Sequence, residues 1–412
     1  MNLHADPHSA TASRRCRGWT RHGFRSMAAT DALINPKVLR WARESTLLSI
    51  DEAARVAHIA NPDRLLAAEN GDGPITFHQL QRLAHFCRIP LGAFYRDAPP
   101  REEDVPPDFR SGPERPDRYT SDLIRTLRTA RERRDAALEL FQDLDIAIPA
   151  MPSVASTSEA HAVLQPLLCT LAWPDQSAQW NRGAKALSTS KEIVERSLPV
   201  LVFEFPVESA QVRGCSLFHE RLSIIILSSN DVPNARRFSL THELVHLLLH
   251  QSGLCSPLCG RDQLQLEREC DVVASESLLP TAALVAEAME RRNEQPQRIV
   301  DRIVSRYGMS YSAAALRLHD AGFIGDRDYR QLMHFYDTQR RKQIEAYADR
   351  DGGPNYHLLQ VQRLGPTFTG AVLDGIYSDH ISVTQGASLL GVAASYVSFD
   401  GIREQMSSVY GG

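Results

Sequence analysis

The sequence lacks four things, and each absence removes a class of function. It has no excess of positive charge: the formal net charge over 412 residues is −4, so no global field advertises nucleic-acid binding, and any DNA contact needs a local patch. It has only seven cysteines. An odd number spread through a long chain argues against a disulfide framework and for a reducing, cytoplasmic setting. No apolar run approaches the roughly 20 residues of a membrane span, and the arginine-rich N-terminus has no apolar segment of the secretory kind. There is no clean internal repeat and no glycine loop of the phosphate-binding type. What is present is ordinary globular composition, 43% hydrophobic and 23% charged, in a chain long enough for two or three domains.

Residues 1–34 read as a disordered basic leader, with Met27 as an alternative start. From Asn35 the pattern turns helical. Pro36 suits a first helical turn, Ser49 and Glu52 form a capping box, and Thr76 and Gln79 form another. Asn61 can cap a helix that starts at Pro62 and stops at Gly71. LGAFYRD completes five short helices over 35–98. The second and third are separated by a few residues, as in a helix-turn-helix. The stretch from Val38 to Arg96 resembles the XRE (phage-repressor-like) helix-turn-helix family, most closely at ENGDGPIT. That resemblance implies DNA binding, with Asn61 and Arg64 as the candidate contacts. Arg64 is the one good base reader near the start of the third helix, and Asp63 would face phosphates. The alternative is a unit that docks on the rest of the chain or on a protein.

Residues 99–118 are rich in proline and charge and read as a linker. A long amphipathic helix follows, with Leu123, Ile124, Leu127, Ala130, Ala137 and Leu140 on its apolar side. Its arginines 125, 128, 131, 133 and 134 suit a solvated face or a nucleic-acid contact. PVLVFEFP, QVRGCSLFHE and LSIIILSSND read as strands of a small sheet.

Next comes RFSLTHELVHLLLHQSG. Residues four apart on a helix share a face, about 6 Å apart along the axis, so His242 and His246 can address one ion, with Glu243 beside them as the general base. Burial of such residues without partners is costly, which favours a metal site over satisfied core histidines. His250 lies a further turn along and cannot share the ion. A catalytic zinc takes three protein ligands, and LQLERECDVVASESLLP supplies a third. Glu267 and Asp271 lie four apart on one helix face, the glutamate as ligand and the aspartate orienting a histidine through its ring N–H. Cys255, Cys259 and Cys270 form a rival set, with wide spacing and no clear fourth ligand.

RRFSLTHELVHLLLH followed by ERECDVVASESLLP resembles the ImmA/IrrE family of zinc metallopeptidases, with Cys270 and Val273 replacing the usual alanine and phenylalanine. The likeness spans most of the chain from Val38 to about Gln331, since PPDFRS and an XRE-type N-terminus occur in long members. It implies Zn2+ on His242, His246 and Glu267, Glu243 as base, and a gluzincin-like α+β domain over 119–332 that cleaves a regulatory protein, typically a repressor. Residues 333–412 read as a helical C-terminal subdomain in which Ile381–Val392 again looks helix-turn-helix-like. The expected fold is thus multidomain and mainly α with a small sheet. The expected partners are a protein substrate, DNA and a second copy in a homodimer, with no membrane. The rival function is a non-proteolytic XRE-type regulator, or an antitoxin, whose zincin-like domain senses a ligand or partner.

Overall fold

The computed structural model describes residues 30–100, 120–168, 179–207, 212–251, 253–255, 261–348 and 355–410. Most of the expected leader, most of the 99–118 linker and Cys259 lie outside these residues. The N-terminal unit is built on local signals. Helix α1 (Pro36–Glu44) is capped by the Asn35 side chain. Both Ser49–Glu52 and Thr76–Gln79 make reciprocal capping boxes, which open α2 (Ile50–Ala57) and α4 (Phe77–Cys87). Helix α3 (Pro62–Asn70) ends at Gly71 in the left-handed region. The segment Leu91–Tyr95 is a 3-10 turn. Leu39, Leu65, Leu80, Leu83 and Phe94 fill the core of this unit. Glu69, from the ENGDGPIT junction, is buried and accepts from Arg43 Nε and Nη2 at 2.8 and 2.9 Å, tying α3 to α1. One expectation is corrected. The last residues of the 1–34 segment are part of the fold, because strand β1 (Asp31–Ala32) pairs antiparallel with β2 (Ile75–Thr76). A two-residue strand is too short to leave a hydrophobic period.

Helix α5 (Ser121–Asp143) joins this unit to the rest. Its arginines do not form the expected solvated or nucleic-acid face. Arg125 Nε donates to the Phe86 carbonyl at 2.8 Å and its guanidinium lies over the Phe86 ring. Arg128 is buried and donates to Thr46 Oγ1 (2.8 Å), the Cys87 carbonyl (2.9 Å) and Ser45 Oγ (2.9 Å). It therefore binds the C-terminal ends of α1 and α4, where helix dipoles leave negative charge and unsatisfied carbonyls. Burial, with Arg88 nearby, lowers the Arg133 pKa to about 10, and its guanidinium sits over the Phe203 and Phe205 rings.

Behind α5 come α6 (Thr157–Leu168) and α7 (Gln179–Ser197), then a four-stranded sheet of β3 (Val200–Phe205), β4 (Gly214–Leu217), β5 (Ser223–Ser228) and β6 (Gly253–Cys255). Its order is β3-β5-β4-β6. β3 and β5 are parallel, while β4 is antiparallel to both neighbours. The three expected strands are present, and β6 adds a fourth after the HELVH helix. That helix is α8 (Pro233–Leu248), followed by α9 (Arg261–Leu278), α10 (Thr281–Glu290), α11 (Pro296–Tyr307), α12 (Tyr311–Asp320) and α13 (Asp326–Ala348). The chain continues as α14 (Tyr356–Leu364), α15 (Pro366–Tyr377), α16 (Val383–Leu390) and α17 (Tyr396–Tyr410).

Strand alternation divides the core. Val200, Val202, Ile225 and Leu227 face one cluster, with α8 and its helical neighbours. Leu201, Phe203, Cys215, Leu217, Ile224 and Ile226 face the other, with α5 and α14–α17. The C-terminal helices thus cover the second face of the sheet, and the boundary expected at 332/333 falls inside α13. The architecture is mainly helical with small sheets. Among the described residues no single helix is long and apolar enough to cross a membrane.

Candidate metal centre

Helix α8 starts with Pro233 in its first turn and runs between the sheet and the helices of the first cluster. Every residue from Ser239 to Leu248 is buried, so its polar residues must find partners inside the protein. Arg237 anchors it. Its guanidinium is fully buried and donates to Ser190 Oγ at 2.9 Å, to the Leu168 carbonyl at 3.4 Å and to the Tyr307 carbonyl. Burial alone brings its pKa down to about 10.

A turn and a half further on, the two imidazoles meet the acid from α9. His242 Nε2 and His246 Nε2 are 3.1 Å apart. Glu267 Oε2 lies 3.2 Å from the first and Oε1 3.3 Å from the second. All three side chains are buried, and among the described residues His242, His246 and Glu267 are the group that could hold an ion. A tetrahedral site with bonds of about 2.0–2.1 Å has ligand–ligand edges of roughly 3.3–3.4 Å, so the donor set fits zinc. His242 Nδ1 lies 2.8 Å from Asp271 Oδ1. Charge balance points the same way. Burial depresses the His242 pKa, but bonds to Asp271 and Glu267 outweigh it and raise the value to about 9. Burial pushes Glu267 up, and the two imidazoles more than reverse this, holding it well below the usual carboxylate range. The cluster favours added positive charge, which a divalent cation supplies in place of protons.

Glu243 is fully buried, and neither carboxylate oxygen has a hydrogen-bond partner among the described residues. Strand β4 makes room for it: a Cβ at Gly214 would lie 2.6 Å from Glu243 Oε1 and 3.0 Å from its Cγ. A buried carboxylate left with bare oxygens has a large desolvation cost unless something else occupies the site. Sequence reasoning missed Gly214. Its signal was faint, since a glycine in a strand can mark close approach of another group.

The structure therefore brings together His242, Glu243, His246, Glu267 and Asp271. It keeps His250 out, as expected. That residue is exposed, sits in the left-handed region at the end of α8, and stacks on Phe218 with ring centroids 4.5 Å apart. The next residue, Gln251, was not foreseen. Its Oε1 lies 3.3 Å from His246 Nδ1. Of the rival cysteines, Cys270 is buried beside Glu267, and burial followed by the Glu267 charge pushes its thiol well up. The Cys255 side chain and Cys259 lie outside the described residues. Asn61 and Arg64 belong to the N-terminal unit. Asn61 is occupied as the cap of α3, accepting from Asp63 N at 2.9 Å, and Arg64 is exposed.

A helix carrying two histidines and an acid, crossed by a second helix that supplies another acid, has the layout of a metallopeptidase-type site. Residues 195–319, from the end of α7 into α12, match the peptidase family described as the IrrE N-terminal-like domain. The match contains every residue of the cluster and supports a relation to the ImmA/IrrE family over that stretch. No curated protein matches the chain.

Proposed function

We propose that this chain is a regulatory zinc-dependent endopeptidase, with a gluzincin-like catalytic domain and an N-terminal helix-turn-helix of XRE type. Its substrate in this reading is a cytoplasmic protein such as a transcriptional repressor. The observation that carries the proposal is the pairing of a converging His242–His246–Glu267 donor set with the bare carboxylate of Glu243. His242, His246 and Glu267 would hold the ion. Bound zinc supplies Lewis acidity, polarising a carbonyl and acidifying water. Asp271, with Oδ1 2.8 Å from His242 Nδ1, would pair with that nitrogen and hold the ring so that Nε2 faces the site. Glu243 takes a proton from the attacking water as the C–O bond forms. It returns that proton to the amine nitrogen as the C–N bond breaks.

The test compares cells that express the wild type with cells that express Glu243→Gln, reading new protein termini by mass spectrometry, together with the zinc content of both purified proteins. The expected result is about one zinc per chain in both, and a small set of cleavage products present only with the wild type. Identical termini in the two strains would remove the peptidase reading. A second reading, a non-proteolytic DNA-binding regulator or antitoxin, draws on the exposed Arg64 at the start of α3. It predicts salt-dependent gel shifts on the chain's own promoter, lost in Arg64→Ala.

A further inference from the structure

Among the described residues, the Nδ1 atoms of the two histidines of the centre face unlike side chains. His242 has the Asp271 carboxylate at 2.8 Å from Nδ1. His246 has the neutral amide of Gln251, with Oε1 at 3.3 Å from Nδ1. The longer contact is the one expected of an uncharged acceptor.

Gln251 reaches that place through the way α8 ends. The helix stops at Leu248 and Leu249 caps it. His250 takes φ 56°, a region that residues other than glycine occupy reluctantly. The backbone N–H of Gln251 then donates to the His246 carbonyl at 2.9 Å, closing a Schellman-type reversal. This turn folds residue 251 back over the histidine it bonds. The His250 ring, stacked on Phe218, holds the left-handed residue in place. His250, the third histidine of HELVHLLLH, therefore acts in the turn, outside the donor set.

We infer that Gln251 is the positioning residue for His246. Its amide oxygen accepts the Nδ1–H, which selects the tautomer whose Nε2 lone pair faces His242 and Glu267. The inference rests on the metal-centre reading and goes beyond it, because it gives a positioning role to a residue outside the donor set. Among the described residues, a carboxylate lies at His242 Nδ1 and an amide from the turn that ends α8 lies at His246 Nδ1.

The test uses the full chain, with zinc(II) affinity measured by chelator competition and cobalt(II) substitution read by visible absorption. Gln251→Met keeps the side-chain length and removes the acceptor. It is expected to weaken zinc binding by about tenfold, the lower end for partners of this kind, and to shift the cobalt bands, with the thermal midpoint of the metal-free protein unchanged. Gln251→Glu restores an acceptor and is expected to bind zinc at least as tightly as the wild type. Wild-type affinity and an unshifted cobalt spectrum in Gln251→Met would overturn the inference, as would equal weakening in Gln251→Glu. Should Gln251→Met fail to fold, Gln251→Ala, which only trims a half-buried side chain, is read by the same criteria. A wild-type chain that binds no zinc would overturn the metal centre itself, an outcome separate from a Gln251 variant that behaves like a zinc-binding wild type.

Discussion

Helix α8 has buried acids at both ends of its path, and the two ends are built oppositely. Near its start, Glu204 of β3 is buried and both oxygens are matched: Lys191 Nζ lies 3.2 Å from Oε1, and Arg236 of α8 pairs with Oε2. Burial pushes Glu204 up, and the two cations together more than reverse it. Beside it, Glu195 accepts from Val202 N at 2.9 Å and from Thr367 N at 2.8 Å. Two turns further along α8, Glu243 is just as deeply buried, and among the described residues neither oxygen has a hydrogen-bond partner. The first arrangement joins α7, β3, α8 and α15 with a partner on every carboxylate oxygen. The second leaves an acceptor bare next to a converging donor set. A satisfied acid holds a fold together, whereas an unsatisfied one at the same depth suits the base role proposed for Glu243.

The largest effect expected from this contrast is on catalysis. Glu243→Gln should reduce cleavage of a substrate identified in cells by about 10²–10⁴-fold, the range for loss of a general base. It should leave the thermal midpoint of the metal-free protein unchanged or raise it, because a buried carboxylate without partners is removed. A Glu243→Gln protein that is markedly less stable would place Glu243 with the structural acids. At the other end of the helix, Lys191→Met should do the reverse. Lys191 is fully buried and also donates to the Gln362 carbonyl of α14. Removing one partner of such a pair typically costs about 3–5 kcal/mol, readable by urea denaturation. Zinc content per folded chain should not change. A loss under about 1 kcal/mol, in the range of a surface pair, would mean that this network does not fix α14 to the sheet.

The contrast also marks how far sequence carries. Features whose cause lies within one turn or one helix were legible: the Ser49–Glu52 and Thr76–Gln79 boxes, the stop at Gly71, the i,i+4 pairs His242–His246 and Glu267–Asp271. Features that depend on what lies across a contact were not. Arg128 has the look of a solvated residue until α1 and α4 end against it. Strand β6 is three residues long and takes its identity from pairing with β4. The C-terminal helices carry amphipathic patterns that do not name the sheet face they cover. Gly214 and Gln251 act on side chains far away or folded back onto them, and nothing in their own neighbourhoods specifies those targets.

The structural end of α8 has a pH signature. Burial raises the Glu195 pKa to about 7 from its ordinary 4.5, with Lys191 and the two amides opposing but not cancelling it. The folded state then holds a proton that the unfolded chain has released. Stability is full below about pH 4.5, falls as pH rises towards 7, and levels off above that, a decline on the order of 3 kcal/mol for this group. Glu195→Gln cannot ionise and should flatten that part of the stability–pH curve. It should gain little absolute stability, since its NH2 group must face one of the two N–H donors. An unchanged slope in the variant would assign the pH dependence to other groups.

The smallest and sharpest change is Gly214→Ala, which adds one methyl group. Gly214 lies in a strand and is not among the residues with positive φ, so alanine meets no backbone strain there and slightly restricts the unfolded chain. Any cost must come from the new Cβ, placed 2.6 Å from Glu243 Oε1 and 3.2 Å from its Cδ. Because no described residue hydrogen-bonds that carboxylate, it can swing aside. The stability loss should stay within the roughly 1–3 kcal/mol of a crowded core site. Catalysis has no such latitude, since displacement by about 1 Å can cost 10²-fold. The variant should keep its zinc and most of its stability while kcat falls with little change in KM. Full activity in Gly214→Ala would show that Glu243 works from a position other than the one β4 leaves open. A fall in stability with activity intact would make Gly214 a packing residue and return Glu243 to the same class as Glu204.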